Sequence, residues 1–255
     1  IHQAIQPTFK TSKKINMGIT ENKLRIGNFT SSEIYRLFES KRVCDTYIAE
    51  KNIERRMGLS LKQEVYSRPM AWGEIIEIWV HEKVLGLTYT PTGTETFAHP
   101  DFDYWAGSPD FICESKQLIA ECKGYERKNF SVYADAIMSN DLNRLREDCP
   151  SEFWQLVSNA TILGMDYIQP LLFMPYLSQL PDIRMFAENI NIEDPARFKY
   201  ICDSQDCQLA YLLDGGYYKN LVTNIYKVSD ELKNELTDKV RLAGTYLKEF
   251  HGIAG

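Results

Sequence analysis

The sequence predicts an α/β fold, because segments with strand and helix periodicity occur together in one chain. Two apolar-rich runs at 106–113 and 118–124 are joined by the polar turn Glu-Ser-Lys-Gln and predict a β-hairpin. A broad apolar face across 75–84 predicts a buried helix before this hairpin. The apolar run at 166–177 predicts a further buried strand after it.

Length and composition indicate an ordinary globular protein. The 255 residues are 44% hydrophobic and 25% charged, which is typical of a chain that buries a sizeable core. We expect residues 1–22 to form an extended or flexible N-terminal arm and 23–255 to form a single domain. Within that domain, 179–210 is predicted to be an insertion with a short strand at 197–203. No apolar run approaches the roughly 20 residues that span a bilayer, and 1–14 lacks an apolar signal core, so we expect no membrane association and a cytoplasmic location.

Cysteine spacing and net charge exclude several classes of protein. The six cysteines are scattered without CxxC pairs, which argues against a zinc ribbon, an iron–sulfur nuclease with clustered cysteines, and a disulfide framework. The formal net charge of −6 is not that of a protein that binds nucleic acid with its whole surface, so any DNA contact must be local. Basic runs are usually solvated faces, and we expect phosphate contacts only from Arg127 and Lys128, directly after the hairpin.

The region before the hairpin begins with a predicted helix cap. Thr30, Ser31 or Ser32 is expected to cap a helix whose apolar face lies in 34–38, and Arg25 precedes this cap. A helix N-terminus with hydroxyls and a nearby guanidinium can bind a phosphate group, although most such caps bind nothing.

The region after the hairpin is predicted to be mostly helical. Helical patterns occur at 129–148, in a segment capped by Ser151 that carries Gln155, and at 228–250. The buried strand between them contains Pro170, which predicts a position at the sheet edge or irregular strand ends.

The predicted hairpin brings three charged side chains together. Side chains alternate faces along a strand, so Glu121 and Lys123 share one face while Cys122 points to the other. Asp110 joins them from the neighbouring strand. Two carboxylates near one point suit Mg²⁺, which combines one or two protein carboxylates with water and phosphate oxygens. Lys123 would polarise the attacking water or neutralise charge in the transition state, so the pattern predicts a metal-dependent site for phosphodiester cleavage. The alternative is a solvated hairpin whose charges merely face water.

One acidic residue of the helix before the hairpin is also a candidate. Glu77 lies among apolar neighbours, where an ionised carboxylate is costly unless it is paired or binds a metal. The alternative is an exposed glutamate that pairs with a basic group.

The hairpin resembles a known nuclease signature. Pro109, Asp110, Glu121 and Lys123 match the pattern of the PD-(D/E)xK nuclease superfamily. More narrowly, five segments in order are similar to the phage lambda exonuclease, or YqaJ-type viral recombinase, family. They are LRIGNFTSSEIYRLF at 24–38, AWGEIIEIW at 71–79, GSPDFI at 107–112, AECKG at 120–124 and WQLVSNATILG at 154–164. The resemblance implies a PD-(D/E)xK nuclease core, with a central mixed β-sheet flanked by α-helices.

The resemblance also implies a role for each residue of the predicted metal site. Asp110 and Glu121 become the principal metal ligands, and Glu77 becomes the helix carboxylate that completes the site. The main-chain carbonyl of Cys122 is implied as a further ligand, and Lys123 as the catalytic lysine.

The chain departs from the family pattern at several positions. Gln155 matches the first glutamine of a Gln-x-Gln helix, but Val157 stands at the second position, so the role of that second glutamine is lost. Phe111 after the aspartate, and Gly124 and Tyr125 after the lysine, change packing near the site more than its charge.

A phosphate pocket is implied near the first helix. Arg25 and Ser32, with Thr30 and Ser31 beside them, match the positions that hold a 5′-phosphate in the family.

The resemblance implies a Mg²⁺-dependent exonuclease that degrades one strand of duplex DNA from a 5′ end and leaves a 3′ overhang for recombination. Two metal ions are expected, with Mn²⁺ able to substitute. The implied partners are double-stranded DNA ends, a single-strand annealing protein and further copies of the chain in a trimeric ring. One alternative is a sequence- or structure-specific DNA endonuclease on the same core. A second is an inactive DNA-binding assembly subunit, against which the intact Asp110, Glu121 and Lys123 argue.

Overall fold

The computed structural model of the protein describes residues 23–62, 66–125, 127–192 and 194–249. The predicted N-terminal arm, at 1–22, lies outside these described residues. Within them, nine β-strands are present: β1 (Phe29–Thr30), β2 (Thr90–Pro91), β3 (Phe97–Ala98), β4 (Trp105–Gly107), β5 (Phe111–Cys113), β6 (Leu118–Lys123), β7 (Tyr167–Phe173), β8 (Leu221–Thr223) and β9 (Tyr226–Lys227).

The same part of the chain contains eight α-helices: α1 (Lys41–Met57), α2 (Arg68–Val80), α3 (Arg127–Met138), α4 (Leu142–Asp148), α5 (Pro150–Leu163), α6 (Leu180–Asn189), α7 (Lys199–Asp203) and α8 (Asp230–Gly244). A π-helical segment, His81–Leu85, continues α2 directly. No helix in the described ranges has the length and apolarity that crossing a membrane requires.

The larger sheet has the strand order β2-β5-β6-β7-β8, and β9 pairs with β7 beside β8. β6 is antiparallel to β5 and parallel to β7, so the sheet is mixed. A second sheet has the order β1-β4-β3. The predicted α/β architecture, with a central mixed sheet between helices, is therefore confirmed.

Two apolar cores lie on the two faces of the larger sheet. Ile119 of β6 belongs to the core that includes residues of α3, α5 and α8. Ala120 and Cys122 belong to the core that includes residues of α2 and α6. This alternation places Cys122 on the opposite face from Ile119, and Glu121 and Lys123 follow Ile119 at two-residue intervals.

The predicted first strand of the hairpin is two strands. β5 pairs with β6 as expected, with Phe111 opposite Ala120. β4 instead joins the second sheet, where it is parallel to β1 and antiparallel to β3. The break falls at 108–110, where Pro109 cannot donate a ladder hydrogen bond.

Pro170 lies in a central strand rather than at a sheet edge, which corrects the sequence-based expectation. β7 pairs with β6 on one side and with β8 and β9 on the other. β9 pairs with Tyr167 and Ile168, and β8 resumes at Leu171, so Gln169 and Pro170 fall in the gap between them. Because proline has no N–H to donate, this gap accommodates it.

The predicted short strand at 197–203 is wrong. This segment is helical, with a 3-10 helix at Pro195–Phe198 followed directly by α7. Phe198 and Ile201 are fully buried, and their spacing of three residues fits one face of a helix.

Two other helix boundaries differ from the sequence prediction. α5 begins at Pro150 with Cys149 as its N-cap, because proline is favoured in the first helical turn, and Ser151 does not cap it. α8 ends at Gly244 instead of continuing to residue 250.

A buried ion network connects α1 to the segment before β1. The Lys51 ammonium lies 3.0 Å from the Glu54 carboxylate and 3.5 Å from Glu33. Glu54 also accepts hydrogen bonds from the main-chain N–H groups of Gly27 and Leu61. Gly27 has a φ of +67°, and an added Cβ would lie 2.3 Å from Cγ of Arg55, so a side chain is excluded there. The network therefore anchors the turn that follows Arg25.

We predict that Lys51→Met lowers the free energy of unfolding by about 3–5 kcal/mol, because it leaves the buried Glu54 carboxylate without its cation. The matched control is Lys41→Met, which removes an 89% exposed lysine from its pair with Asp45 and should leave the free energy of unfolding nearly unchanged. Urea denaturation followed by circular dichroism measures both values. Equal losses in the two variants would show that the buried network does not stabilise the fold.

Candidate active site

The structure brings Asp110, Glu121 and Lys123 together as the sequence predicts. Asp110 directly precedes β5, and its Oδ2 accepts a 2.7 Å hydrogen bond from the main-chain N–H of Cys122. Glu121 and Lys123 project from the same face of β6, with 3.6 Å between Nζ of Lys123 and Oε2 of Glu121. The β5–β6 hairpin thus places two carboxylates and one ammonium at the end of a central strand.

Two amide side chains of α5 hold the Glu121 carboxylate. Gln155 donates a 2.7 Å hydrogen bond to Oε2, and Asn159 donates a 2.5 Å hydrogen bond to Oε1. The two residues are four positions apart and therefore lie on one face of the helix. Glu121 itself is only 1% exposed, so these bonds fix the carboxylate in a single orientation.

Sequence reasoning found Gln155 and missed Asn159. The signal that could have found Asn159 is an amide residue one helical turn after Gln155, on the same helix face. The Gln-x-Gln pattern places its second amide at position 157, where this chain has Val157, which is buried in the apolar core.

Gly107 of β4 provides space for Asn159. A Cβ at this position would lie 2.0 Å from Oδ1 of Asn159 and 2.3 Å from Oγ of Ser31. The Asn159 amide is therefore confined between β4 and Glu121, and its buried Oδ1 has no hydrogen-bond partner among the described residues.

Lys123 remains a cation in this environment. Burial lowers the pKa of its ammonium, but the carboxylates of Glu121 and Asp110 outweigh burial, so that the pKa lies above its ordinary value. A protonated lysine can neutralise developing negative charge, but it cannot accept a proton from water.

Carboxyl groups outnumber cationic groups in the site. Burial raises the pKa of Glu77 well above its ordinary value, and repulsion from Asp110 and Glu121 raises it further. Burial and repulsion from Asp110 likewise raise the pKa of Glu121. Burial also raises the pKa of Asp110, although Lys123 and the N–H of Cys122 partly oppose the increase. The site therefore contains three carboxyls and one ammonium, and a bound cation would reduce the repulsion between the carboxyls.

The donor set fits a Mg²⁺-type cation better than a structural metal. Within the described ranges, no group of three or more Asp, Glu, His or Cys side chains could hold a metal ion. Mg²⁺ usually takes one or two protein carboxylates and fills its remaining positions with water and phosphate oxygens. Asp110 and Glu121 supply that number of oxygen ligands, and a carboxylate that accepts one amide hydrogen bond at each oxygen retains acceptor capacity.

Tyr125 and Glu152 form a contact at the site that sequence reasoning did not identify. The Tyr125 hydroxyl donates a hydrogen bond to the Glu152 carboxylate, which lies in the first turn of α5. The negative charge of Glu152 also contributes to the raised pKa of Lys123. Glu152 therefore adds a fourth carboxylate to the electrostatic surroundings of the site.

The predicted helix cap at 30–32 is wrong. Thr30 ends β1, and the 3-10 helix Ile34–Leu37 follows with Glu33 as its N-cap and no side-chain capping bond. Ser31 is buried, and its Oγ lies 2.8 Å from Oγ of Ser158. Thr30 is buried as well, and its N–H donates to the Tyr47 hydroxyl.

The expected phosphate pocket is therefore reduced to two surface side chains. Arg25 and Ser32 are both exposed. Ser31 and Thr30 are buried in the packing of β1, so their hydroxyls do not face a ligand at the surface. A four-residue 3-10 helix also presents no extended set of aligned amides to an anion.

Arg127 and Lys128 begin α3, four and five residues after Lys123. Both are exposed, as a phosphate contact requires. The Arg127 guanidinium lies 4.3 Å from the centre of the Tyr211 ring, so this ring supports it from one side.

We predict that Glu77→Gln stabilises the metal-free protein at neutral pH. The raised pKa of Glu77 means that its contribution to stability is present below its unfolded value of about 4.5 and is lost as the pH rises through the folded value. The gain in melting temperature should therefore increase as the pH rises from about 4.5 to the folded pKa and stay constant above it, measured by thermal unfolding in a chelator. The control is Glu82→Gln, at an exposed position two residues after the end of α2. A constant difference between Glu77→Gln and wild type across the pH range would contradict the confinement of this charge.

Three solved structures are similar to this chain over most of its length. An alkaline exonuclease (LHK-Exo) from Laribacter hongkongensis matches with a TM-score of 0.56 and 13% identity, covering 87% of this chain and 88% of that one. The same exonuclease in complex with dAMP matches with a TM-score of 0.57 and 14% identity, covering 88% and 89%. A phage-related exonuclease from Haemophilus somnus 129PT matches with a TM-score of 0.53 and 15% identity, covering 86% and 92%.

These likenesses concern the fold. No protein-family model matches the chain, and no curated protein matches it significantly. The similarity nevertheless extends over nearly the whole of both chains in each case, so it describes the complete architecture and not one motif. The chain therefore has the fold of these exonucleases, as the resemblance of its motifs implied.

Proposed function

We propose that the protein is a Mg²⁺-dependent exonuclease that degrades one strand of linear double-stranded DNA from the 5′ end and leaves 3′ overhangs for recombination. The observation that carries this proposal is the group of Asp110, Glu121 and Lys123 at the end of β6, held by Gln155 from α5. The fold that the chain shares with the solved exonucleases supports it.

Each side chain of the site has a distinct role in the proposed reaction. A bound Mg²⁺ would polarise a phosphate oxygen and lower the pKa of the attacking water. Asp110 and Glu121 would hold two such ions, together with the Cys122 carbonyl, and Mn²⁺ would substitute. Lys123 donates to a phosphate oxygen and neutralises charge in the transition state, since its ammonium is fully protonated. Glu77 adds a third carboxyl to the site from α2 and would orient a bound metal ion or its water ligands.

The orientation of Glu121 depends on the amides of α5. Gln155 and Asn159 engage one oxygen each, so the remaining lone pairs point in defined directions before any metal binds. Such preorganisation avoids reorientation of the ligand during the reaction.

Recognition of the strand end would come from Arg25 and Ser32. A terminal phosphate carries more negative charge than an internal diester, so a guanidinium and a hydroxyl near one point favour the end of a strand. The ion network of Lys51 and Glu54 anchors the turn that follows Arg25 and so restricts where its guanidinium can reach.

We further propose that the protein works as a homotrimeric ring beside a single-strand annealing protein. Both features follow from the family resemblance, and light scattering of the purified chain tests the trimer.

The proposed function predicts that a linear duplex is degraded in the presence of Mg²⁺, while covalently closed and nicked circles remain intact. Gel electrophoresis with strand-specific labels measures the rate and direction of degradation. Cutting of the closed circle would indicate the endonuclease, and no cutting with intact DNA binding would indicate the inactive subunit.

Lys123→Ala should reduce the rate of hydrolysis by about 10²-fold or more, because it removes a positive charge that acts in the transition state. Lys227→Ala, at an exposed lysine of β9, is the matched control and should leave the rate unchanged. Mg²⁺-dependent cleavage by Lys123→Ala at the wild-type rate would refute the assignment of the active site.

A separate prediction concerns the strand end. A duplex with 5′-phosphates should be degraded about ten- to a hundredfold faster than one with 5′-hydroxyls, since charge-assisted contacts contribute about 1.5–3 kcal/mol. Arg25→Ala should remove most of this difference, whereas Arg42→Ala, at another exposed arginine, should retain it. Equal wild-type rates on the two ends would mean that Arg25 does not recognise a phosphate.

A further inference from the structure

A cleft between α3 and the segment before β8 has no role in the proposed hydrolysis. Its volume is about 350 Å³, which is within the range of ligand sites. Its walls include three rings, one guanidinium and two apolar side chains, namely Phe130, Tyr211, Tyr218, Arg127, Met174 and Leu213. Leu213 is 67% exposed, so the apolar wall of the cleft is open to solvent.

Contacts within the wall orient the rings and the guanidinium. Tyr218 packs edge-to-face against Phe130, and its hydroxyl donates a 2.9 Å hydrogen bond to Asp135. Arg127 lies over the Tyr211 ring at 4.3 Å. A rigid aromatic surface with a stacked guanidinium suits a flat π-system, and Arg127 together with the exposed Lys128 provides positive charge for phosphate.

The cleft lies at the same end of the sheet as Lys123 of the active site. β6 and β7 are parallel, with Lys123 opposite Leu172, and Met174 follows the end of β7. Arg127 is four residues after Lys123, so their Cα atoms are no more than about 14 Å apart. A DNA strand that passes the active site can therefore reach the cleft.

We propose that this cleft binds an unpaired nucleotide of single-stranded DNA, with its base stacked on the aromatic wall and its phosphate near Arg127 and Lys128. This inference rests on the proposed function for its substrate, since the strand would be part of the DNA that the site processes. The same base-plus-phosphate chemistry occurs in a released mononucleotide, and the two sources are separated experimentally.

The test is fluorescence anisotropy of a labelled oligothymidylate and of an abasic oligonucleotide of the same length, in a chelator so that no hydrolysis occurs. Wild-type protein should prefer the oligothymidylate by about five- to a hundredfold, because stacking contributes about 1–3 kcal/mol per base. Tyr211→Leu, which keeps an apolar side chain without the ring, should lose most of this preference. Arg127→Lys keeps the charge at an exposed position without the planar group and should reduce the preference, even if Tyr211→Leu fails to fold.

Two control variants separate stacking from charge. Lys128→Ala should weaken binding of both oligonucleotides equally, and Tyr246→Ser, at a 62% exposed tyrosine after α8, should change neither.

Three results would overturn the proposal. The first is equal affinity of the wild-type protein for the two oligonucleotides. The second is displacement of the oligothymidylate by thymidine 5′-monophosphate at equal nucleotide concentration, which would assign the cleft to a released product. The third is a changed oligomeric state of Tyr211→Leu with unchanged DNA affinity, which would assign it to a second copy of the chain. Binding is measured without hydrolysis, so its failure is distinct from a failure of the nuclease assay.

Discussion

The burial of the Glu121 carboxylate is the constraint on which the rest of the site depends. An ionised carboxylate that is almost completely removed from water requires compensating hydrogen bonds or positive charge. Gln155, Asn159 and Lys123 supply both, and each reaches Glu121 because β6 and α5 pack face to face. The fold thus holds a carboxylate where the sheet interior would otherwise favour an apolar side chain.

Local patterns in the sequence were sufficient to predict the centre of the site. Strand periodicity placed Glu121 and Lys123 on one face, and the hairpin brought Asp110 beside them, because both rules act over a few residues. Asn159 is not predicted, because its contact with Glu121 joins two elements 38 positions apart, and the face of α5 that meets β6 is indicated only through its position one turn after Gln155.

The parts of the fold that sequence reasoning predicted wrongly are those where tertiary packing overrides a local preference. Serine is a favoured residue at helix N-caps, yet the Ser31 hydroxyl contacts Ser158 in the interior. Proline usually occurs in edge strands, yet the gap between β8 and β9 allows Pro170 a position in the central strand β7. In both cases the deciding partner lies more than fifty residues away in the chain.

The hydrogen bond from the Cys122 N–H to Asp110 has a spectroscopic consequence. This amide lies in β6 between Glu121 and Lys123, and its N–H donates directly to a carboxylate oxygen of Asp110. The chemical shift of an amide proton follows the charge on its acceptor, so protonation of Asp110 or approach of a cation would move the Cys122 resonance. The backbone of β6 therefore carries a built-in reporter of the ionic state of the site, which can be observed in the unmodified protein.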